Sequence, residues 1–361
     1  MQSGSQSHRI TGHIPRPAAT CRSRQAPILF ARSSALRPFR NFLETIGAPV
    51  DRWGQEASLP ASVLADPEGL IPLPAAYRFT ELAARHGRIE DLGMVVGRRT
   101  SAFELGLFGR ALRGAETVYD YLQTGIRLAN CLSSGGTRFW LSTEGDVIRV
   151  NQCLSGPAGR GRCIADVYTL VVTVNTLRQL IDPAWNPGEI RLMADDEALL
   201  GDRHFFGDAV IVPEQGHSSF TLPRSAIALP VHDHQVPGSP ATTAALPGVA
   251  EPMPEDFRTS MEQLILSLAG DGFPDIQTAA HAAGLSPRTL QRRLQQTGTS
   301  YIQVITGARI RLARHWLTAS HLPVAEIAAM VGYTDASNFT RAFRRETGMS
   351  PRSFRLKHVS A

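Results

Sequence analysis

The sequence predicts an α+β N-terminal domain joined by a linker to an all-α C-terminal domain with two helix-turn-helix units. Three observations predict this architecture. A proline-rich stretch without helical or strand periodicity interrupts the 361-residue chain at residues 235–256. Before it, helical periods give way to short alternating segments, which are typical of strands. After it, a helix-glycine-helix pattern occurs twice, over residues 276–297 and 324–347. We therefore place the two domains at residues 44–234 and 257–361.

The first 43 residues differ in composition from the rest of the chain. Residues 1–43 contain seven Arg and no acidic residue, among many Ser, Ala and Pro. We expect a disordered basic arm, and the alternative for an Arg-rich, acid-poor lead is a transit peptide. The four cysteines lack metal-binding spacing, so we expect reduced thiols and a cytoplasmic protein. No apolar run approaches the roughly 18 residues that cross a bilayer, so no membrane association is predicted.

Charge is distributed unevenly between the two predicted domains. Residues 44–271 hold 18 basic and 28 acidic residues, whereas residues 272–361 hold 12 basic and 4 acidic residues. An acidic body joined to a basic end indicates that only the C-terminal end binds a polyanion.

The body contains helical periods first and alternating segments later. The run at residues 137–154 alternates around Glu144, Gly145 and Asp146, which is typical of a β-hairpin. The other predicted elements are helices over residues 74–86, 90–98, 115–132 and 163–180, and strands over residues 189–193, 209–212 and 219–222.

The first helix-turn-helix unit follows from a glycine turn and a capped second helix. Gly284 ends a short apolar helix, and Ser286 with Pro287 can begin the next one. Leu290 and Leu294 then face the core. The outer face carries side chains that can contact DNA, namely Arg288, Thr289, Gln291 and Arg292.

The second unit repeats the plan. Gly332 makes the turn, Asp335 or Thr334 caps the second helix, and Phe339 and Phe343 face the core. The candidate DNA contacts on its outer face are Ser337, Asn338, Arg341, Arg344 and Arg345.

A long helix is predicted between the units, over residues 300–319. Ile302 and Leu312 belong to its apolar stripe, and Arg309 is expected on its exposed side. Nineteen residues make a rod of about 28 Å, close to the roughly 34 Å between major-groove openings on one face of DNA. Arg pairs with guanine, and Asn or Gln with adenine. The predicted partner is therefore double-stranded DNA.

Residues 327–355, IAAMVGYTDASNFTRAFRRETGMSPRSFR, resemble the signature of AraC/XylS-type transcription regulators, and the resemblance covers about 90 residues. It implies that the outer positions of both second helices contact bases. Ala336 occupies one of these positions without a hydrogen-bonding group, so the second unit is expected to contact fewer bases directly. The resemblance also implies a transcription regulator, with RNA polymerase as a partner if it is an activator.

Residues 45–230 resemble, more loosely, the arabinose-binding type of effector-sensing domain in the same family. This resemblance implies a domain that binds a small-molecule effector, pairs subunits into a homodimer, or does both. Phe139, Trp140 and Tyr168 are the candidate ligand contacts, and Phe205 and Phe206 are further aromatic residues of the body. The alternative is a constitutive DNA-binding regulator whose N-terminal domain only oligomerises.

Catalysis is not predicted. The chain lacks the phosphate-binding loop and the nucleophile elbow that mark common enzyme classes. His232, Asp233 and His234 lie at the edge of the linker without further metal ligands nearby in sequence. We therefore predict no enzyme activity, no cofactor and no metal.

Overall fold

The computed structural model describes residues 26–59, 61–133, 137–193, 197–231 and 253–359. Most of the predicted linker, and the His232–Asp233–His234 run, lie outside these residues. Within them, no helix combines the length and apolarity needed to span a membrane. The predicted order of an α+β domain followed by an all-α domain is confirmed.

The N-terminal domain buries one large apolar core. Its central helix, α8, buries residues on more than one face, because α4 and α5 pack against it and the strand Ser218–Pro223 contacts it as well. The α-helices of this domain are α1 (Arg37–Thr45), α2 (Val50–Glu56), α3 (Ala61–Ala65), α4 (Leu73–Gly87), α5 (Leu92–Gly97), α6 (Gly106–Leu112), α7 (Val118–Leu132) and α8 (Arg160–Leu180).

Two sheets accompany these helices. The strands are β1 (Phe30–Arg32), β2 (Leu70–Pro72), β3 (Arg138–Glu144), β4 (Val147–Cys153), β5 (Glu189–Arg191), β6 (Val210–Val212) and β7 (Ser218–Pro223). The larger sheet has the order β3-β4-β7-β5-β6, with β5 and β6 parallel and the other neighbours antiparallel. The predicted hairpin is confirmed, since β3 and β4 pair Glu144 with Val147 across a two-residue turn.

The smaller sheet consists of β1 and β2 alone, and we call it the ribbon (Phe30–Arg32 with Leu70–Pro72). Its strands are antiparallel, with Ala31 opposite Ile71. The prediction of a disordered arm is wrong for residues 26–43, which form β1 and most of α1. Phe30, Phe39 and Leu43 are at most 2% exposed. Burial of these apolar side chains therefore orders a segment for which the Arg-rich composition had predicted disorder. Residues 1–25 lie outside the described residues.

The C-terminal domain is helical, as predicted. Its first helix begins at Phe257, after Asp256 accepts a hydrogen bond from the backbone N–H of Thr259. The α-helices are α9 (Phe257–Leu268), α10 (Ile276–Ala282), α11 (Pro287–Gln296), α12 (Tyr301–Ala319), α13 (Val324–Met330), α14 (Ala336–Thr347) and α15 (Pro351–Val359). Two apolar clusters serve the two helix-turn-helix units.

The first of these clusters does not belong to the C-terminal domain alone. Ile28 and Phe30 of the N-terminal segment pack into it beside Phe257 and Leu264 of α9. The two domains therefore share a core at the ribbon.

Candidate nucleic-acid interface and internal cavity

The first unit has the predicted geometry. Gly284 adopts a φ of +68°, which a glycine tolerates better than any residue with a side chain, and this lets α10 turn into α11. The Ser286 hydroxyl accepts a hydrogen bond from the backbone N–H of Thr289 at 3.2 Å, and Pro287 occupies the first turn. Leu290 and Leu294 are fully buried. The buried inner face of α11 therefore fixes the position of the side chains on its outer face.

The predicted DNA contacts on α11 differ in exposure. Arg288, Gln291 and Arg292 are exposed. Thr289 is half-buried, and its hydroxyl lies 2.9 Å from the Ser286 hydroxyl. Thr289 therefore stabilises the start of the helix, while the other three side chains are open to a ligand.

The second unit also has the predicted geometry. Gly332 has a φ of +79°, and the cap is Asp335 rather than Thr334, since its carboxylate accepts from the backbone N–H of Ser337 at 2.9 Å. This bond lowers the pKa of Asp335 and favours its ionised form at the helix start. Phe339 and Phe343 are fully buried.

The predicted DNA contacts on α14 are all exposed: Ser337, Asn338, Arg341, Arg344 and Arg345. The Arg341 guanidinium donates a hydrogen bond to the Asn338 side-chain oxygen, so these two side chains form one polar unit on the helix surface. Arg345 lies 3.6 Å from the Glu346 carboxylate and remains 70% exposed.

Arg309 on α12 lies between the segment before the first unit and the turn of the second, a position that the sequence prediction missed. It was expected on the exposed side of the helix. Instead, its guanidinium carbon lies 5.0 Å from the centre of the Phe273 ring and 5.4 Å from that of Tyr333. Phe273 packs against both apolar clusters, and Tyr333 follows the Gly332 turn. Arg309 therefore joins the segment before the first unit to the turn of the second.

The apolar stripe of α12 also differs from the prediction in its first turn. Ile302 is 75% exposed, while Val304 and Ala308 are buried against the first unit. The remainder of the helix follows the predicted stripe, with Ala313 and Leu317 buried in the second cluster.

The N-terminal domain contains a partly open cavity of about 170 Å³ between the ribbon, α4, α7, α8 and the inner face of β3 and β4. Of the three predicted ligand contacts, Phe139 and Tyr168 line it. Its other walls are aliphatic and aromatic and include Ala31, Leu36, Phe39, Leu112, Ile126 and Val172.

Trp140 is a correction to the predicted site, because the structure does not bring it to this cavity. Successive strand residues point to opposite faces of a sheet. Phe139 therefore faces inward, and Trp140 lies on the other face with its ring 4.8 Å from that of His217. Phe205 and Phe206 do not line the cavity either. Phe206 is fully buried in the core, and Phe205 packs under the Arg178 guanidinium.

The polar groups of the cavity wall are few and neutral. The Tyr77 hydroxyl donates to the Ser155 carbonyl oxygen at 2.8 Å. Burial raises the pKa of Tyr77, Tyr121 and Tyr168, so these phenols stay protonated. At one end, the Thr137 hydroxyl lies 2.9 Å from that of Ser155.

The ribbon separates this cavity from the first helix-turn-helix unit. Ala31 and Ile71 line the cavity, whereas Phe30 and Leu70, their neighbours in sequence, pack into the apolar cluster of the C-terminal domain. The backbone N–H of Ile28 also donates to the buried Ser260 hydroxyl of α9 at 2.9 Å.

The first unit contacts the N-terminal domain a second time, at its turn. A Cβ placed on Gly284 would lie 3.1 Å from the Pro74 side chain of α4, one residue after the cavity-lining Leu73. Burial and the nearby Arg78 guanidinium lower the pKa of His281 in α10. The first turn of α4, which carries the cavity-lining Leu73, therefore lies beside the turn of the first unit.

Two family models match the chain. Residues 47–231 match the arabinose-binding domain of AraC transcription regulators, and residues 279–357 match a helix-turn-helix domain. The chain belongs to the AraC family of transcription regulators.

Relatives of this regulator resemble its C-terminal end. The ornithine utilization regulator of Pseudomonas aeruginosa is 45% identical over 101 residues, which are 28% of this chain and 30% of that protein. The transcriptional activator RhaS of Escherichia coli is 38% identical over 107 residues, covering 28% of this chain and 38% of RhaS. The matches thus span about a third of the relatives' length. The structure of the regulator CdpR from Pseudomonas aeruginosa aligns with 90% of this chain and 98% of its own, at 20% identity and a TM-score of 0.41.

Proposed function

We propose that this protein is an effector-responsive transcription activator whose DNA affinity depends on a small molecule bound in the internal cavity. The observation that carries the proposal is the ribbon, since one side of it lines the cavity and the other packs into the core of the first helix-turn-helix unit. As an activator the protein would contact RNA polymerase on promoter DNA, which places it in the cytoplasm.

The proposal assigns two roles to the exposed side chains of the recognition helices α11 and α14. Arg288, Gln291 and Arg292 of α11 would contact bases in one major groove. Ser337, Asn338 and Arg341 of α14 would contact bases in the next. Arg344 and Arg345 lie one turn further along α14 and would bind phosphates, which supply affinity without base preference.

The DNA part of the proposal is tested by selecting duplexes from a random library with the full-length protein. We expect two conserved half-sites about 10 base pairs apart, one helical turn of DNA. Arg292→Ala should relax the preference in one half-site only. Arg311→Ala is the matched control, because Arg311 is 47% exposed on α12 and its guanidinium lies 3.9 Å from the Glu262 carboxylate of α9, outside both recognition helices. Failure to enrich any sequence would refute specific binding.

The effector part is tested at the ribbon. Leu70→Ala removes a partly buried contact with the C-terminal core, so we expect DNA affinity to change by at least threefold in the full-length protein. Leu229→Ala is the control, since Leu229 lies 39% exposed on the N-terminal domain, outside the ribbon. Unchanged DNA affinity in Leu70→Ala would favour the alternative, a constitutive regulator whose N-terminal domain forms homodimers. Light scattering would then measure that association.

A further inference from the structure

The cavity of the N-terminal domain has a chemistry that selects among classes of effector. We infer that it binds a small, uncharged and largely apolar molecule with one hydrogen-bonding atom, and not a sugar or a carboxylate. This inference rests on the proposed function, because it names the effector of the same site. It follows from the volume, the charge and the hydrogen bonding of the wall.

Volume limits the size of the ligand. The cavity measures about 170 Å³. An engineered apolar cavity of about 150 Å³ in another protein stays dry and binds benzene. The space here is therefore that of one aromatic ring or a short acyl chain, with room for one substituent.

Charge excludes an ionised ligand. None of the residues that line the cavity in the structure is acidic, basic or a histidine. Arg32 on the ribbon is adjacent in sequence to the lining residue Ala31, but two of its guanidinium donors are bound to the protein and its charge is paired. They bind the backbone oxygens of Cys131 at 2.8 Å and Glu68 at 2.9 Å, and the Glu68 carboxylate lies 3.5 Å away. A carboxylate in the cavity would lose its hydration without gaining a cationic partner among the described wall residues.

Three of the four threonine hydroxyls in the described wall donate to backbone oxygens of the protein. Thr169 and Thr173 each donate to a backbone oxygen one turn earlier in α8, at 2.8 Å. The Thr80 hydroxyl donates to the backbone oxygen of Tyr77 at 2.9 Å. A sugar carries a hydroxyl on nearly every carbon, and the described wall residues offer too few free hydrogen-bonding groups to pair with all of them.

One end of the cavity is different. Ser133 and Thr137 both line it, and their hydroxyls lie 3.4 Å apart, with Ser155 continuing the row behind Thr137. A hydroxyl can rotate to donate or accept. This row can therefore bind one hydroxyl or carbonyl group of a ligand whose remaining atoms contact apolar walls.

Calorimetry on the full-length protein with three probes tests the inference: benzyl alcohol, benzoate and L-arabinose. Benzyl alcohol should bind saturably, and benzoate and L-arabinose at least a hundredfold more weakly. Gly125→Leu should weaken benzyl alcohol binding at least tenfold. Gly125 lines the cavity, and a Cβ there would meet only Leu112, at 3.7 Å, so the longer side chain occupies the free space. Both Leu and Ala favour helix over Gly, so α7 should persist.

Gly125→Ala is the matched control, since one methyl group leaves most of the volume free and should retain binding within about threefold. Comparable binding of benzoate or L-arabinose would overturn the inference, as would failure of benzyl alcohol to bind, or binding that Gly125→Leu leaves intact. DNA affinity is measured in the same samples. Benzyl alcohol that binds in the cavity without changing DNA affinity would support this ligand class and refute the proposed effector response.

Discussion

Replacement of Arg309 tests how the two recognition helices are held at a common spacing. Its guanidinium lies over two rings, 5.0 Å from the centre of Phe273 and 5.4 Å from that of Tyr333. Each cation–π contact contributes about 0.5–1 kcal/mol when exposed and about 2 kcal/mol when desolvated. The Nε atom of Arg309 is buried without a hydrogen-bond partner among the described residues, which offsets part of this gain. We therefore expect Arg309→Met to cost about 1–2 kcal/mol of interaction between the units.

The assay separates an effect on the relative orientation of the two units from an effect on direct DNA contacts. Fluorescence anisotropy compares the full-length protein on a duplex with both half-sites and on a duplex with one. Two binding modules held rigidly gain affinity from the effective concentration of the second, and a loosened connection loses that gain. Affinity for the two-half-site duplex should therefore fall about five- to thirtyfold, the equivalent of about 1–2 kcal/mol. Affinity for the single half-site should change by less than twofold.

Control variants distinguish a role of Arg309 in orienting the units from direct contact between Arg309 and DNA. Arg309→Lys should also lower the affinity for the two-half-site duplex, because a compact ammonium cannot cover two rings as a planar guanidinium does. Arg311→Met removes an exposed cation from the same helix and should weaken both duplexes equally, if at all. An equal loss on both duplexes for Arg309→Met would mean that Arg309 contacts DNA itself. No loss on either would show that the two rings do not fix the orientation.

Three further substitutions give sharp outcomes. Arg292→Ala should cost about 1–3 kcal/mol of DNA binding and relax base choice at one position, whereas uniform weakening in the selection assay would mark a phosphate contact. Gly332→Val should abolish specific binding, because φ is +79° and an added Cβ would lie 3.3 Å from the Arg309 guanidinium; retained specificity in a mobility-shift assay would contradict this turn. Burial raises the pKa of Asp166, so the folded state holds its proton more tightly than the unfolded chain. Stability from this group is then present at acid pH and lost as pH rises through the folded pKa. The stability of Asp166→Asn relative to wild type, measured by urea unfolding, should therefore increase as pH rises above the ordinary pKa of a carboxyl group; a relative stability that falls with pH would refute the assignment.

The helix-turn-helix units could be predicted because their signals are local. In each unit the signals lie within about 20 residues of each other. They are a glycine that ends one helix, a polar residue that caps the next helix, and apolar residues spaced four apart. The hairpin at Gly145 is equally local. The side chains of these elements were placed correctly wherever a cap or a period determined them.

The missed features depend on contacts distant in sequence. The ribbon pairs two strands of three residues each, too short to show a period, and β1 lies far from β2 in the chain. Trp140 lies between Phe139 and Leu141, so all three positions are apolar and alternation does not indicate which face is inward. Arg309 resembles any arginine on a helix surface until Phe273 and Tyr333 are folded against it.

The free energy of the Phe30 contact in the ribbon is comparable with the free energy that an effector switch requires. A shift of a two-state equilibrium from 1:99 to 99:1 takes about 5.5 kcal/mol of differential binding. Loss of a fully buried phenylalanine contact typically costs about 3–5 kcal/mol, and Phe30 is fully buried in the core of the DNA-binding domain. The adjacent Ala31 lines the cavity, so a ligand that displaces Ala31 acts on Phe30 through a single peptide unit. Packed cores change between discrete arrangements rather than by gradual deformation. Under the proposed function, a small apolar ligand that moved Phe30 out of the shared core would have to bind the rearranged state tightly enough to offset this cost.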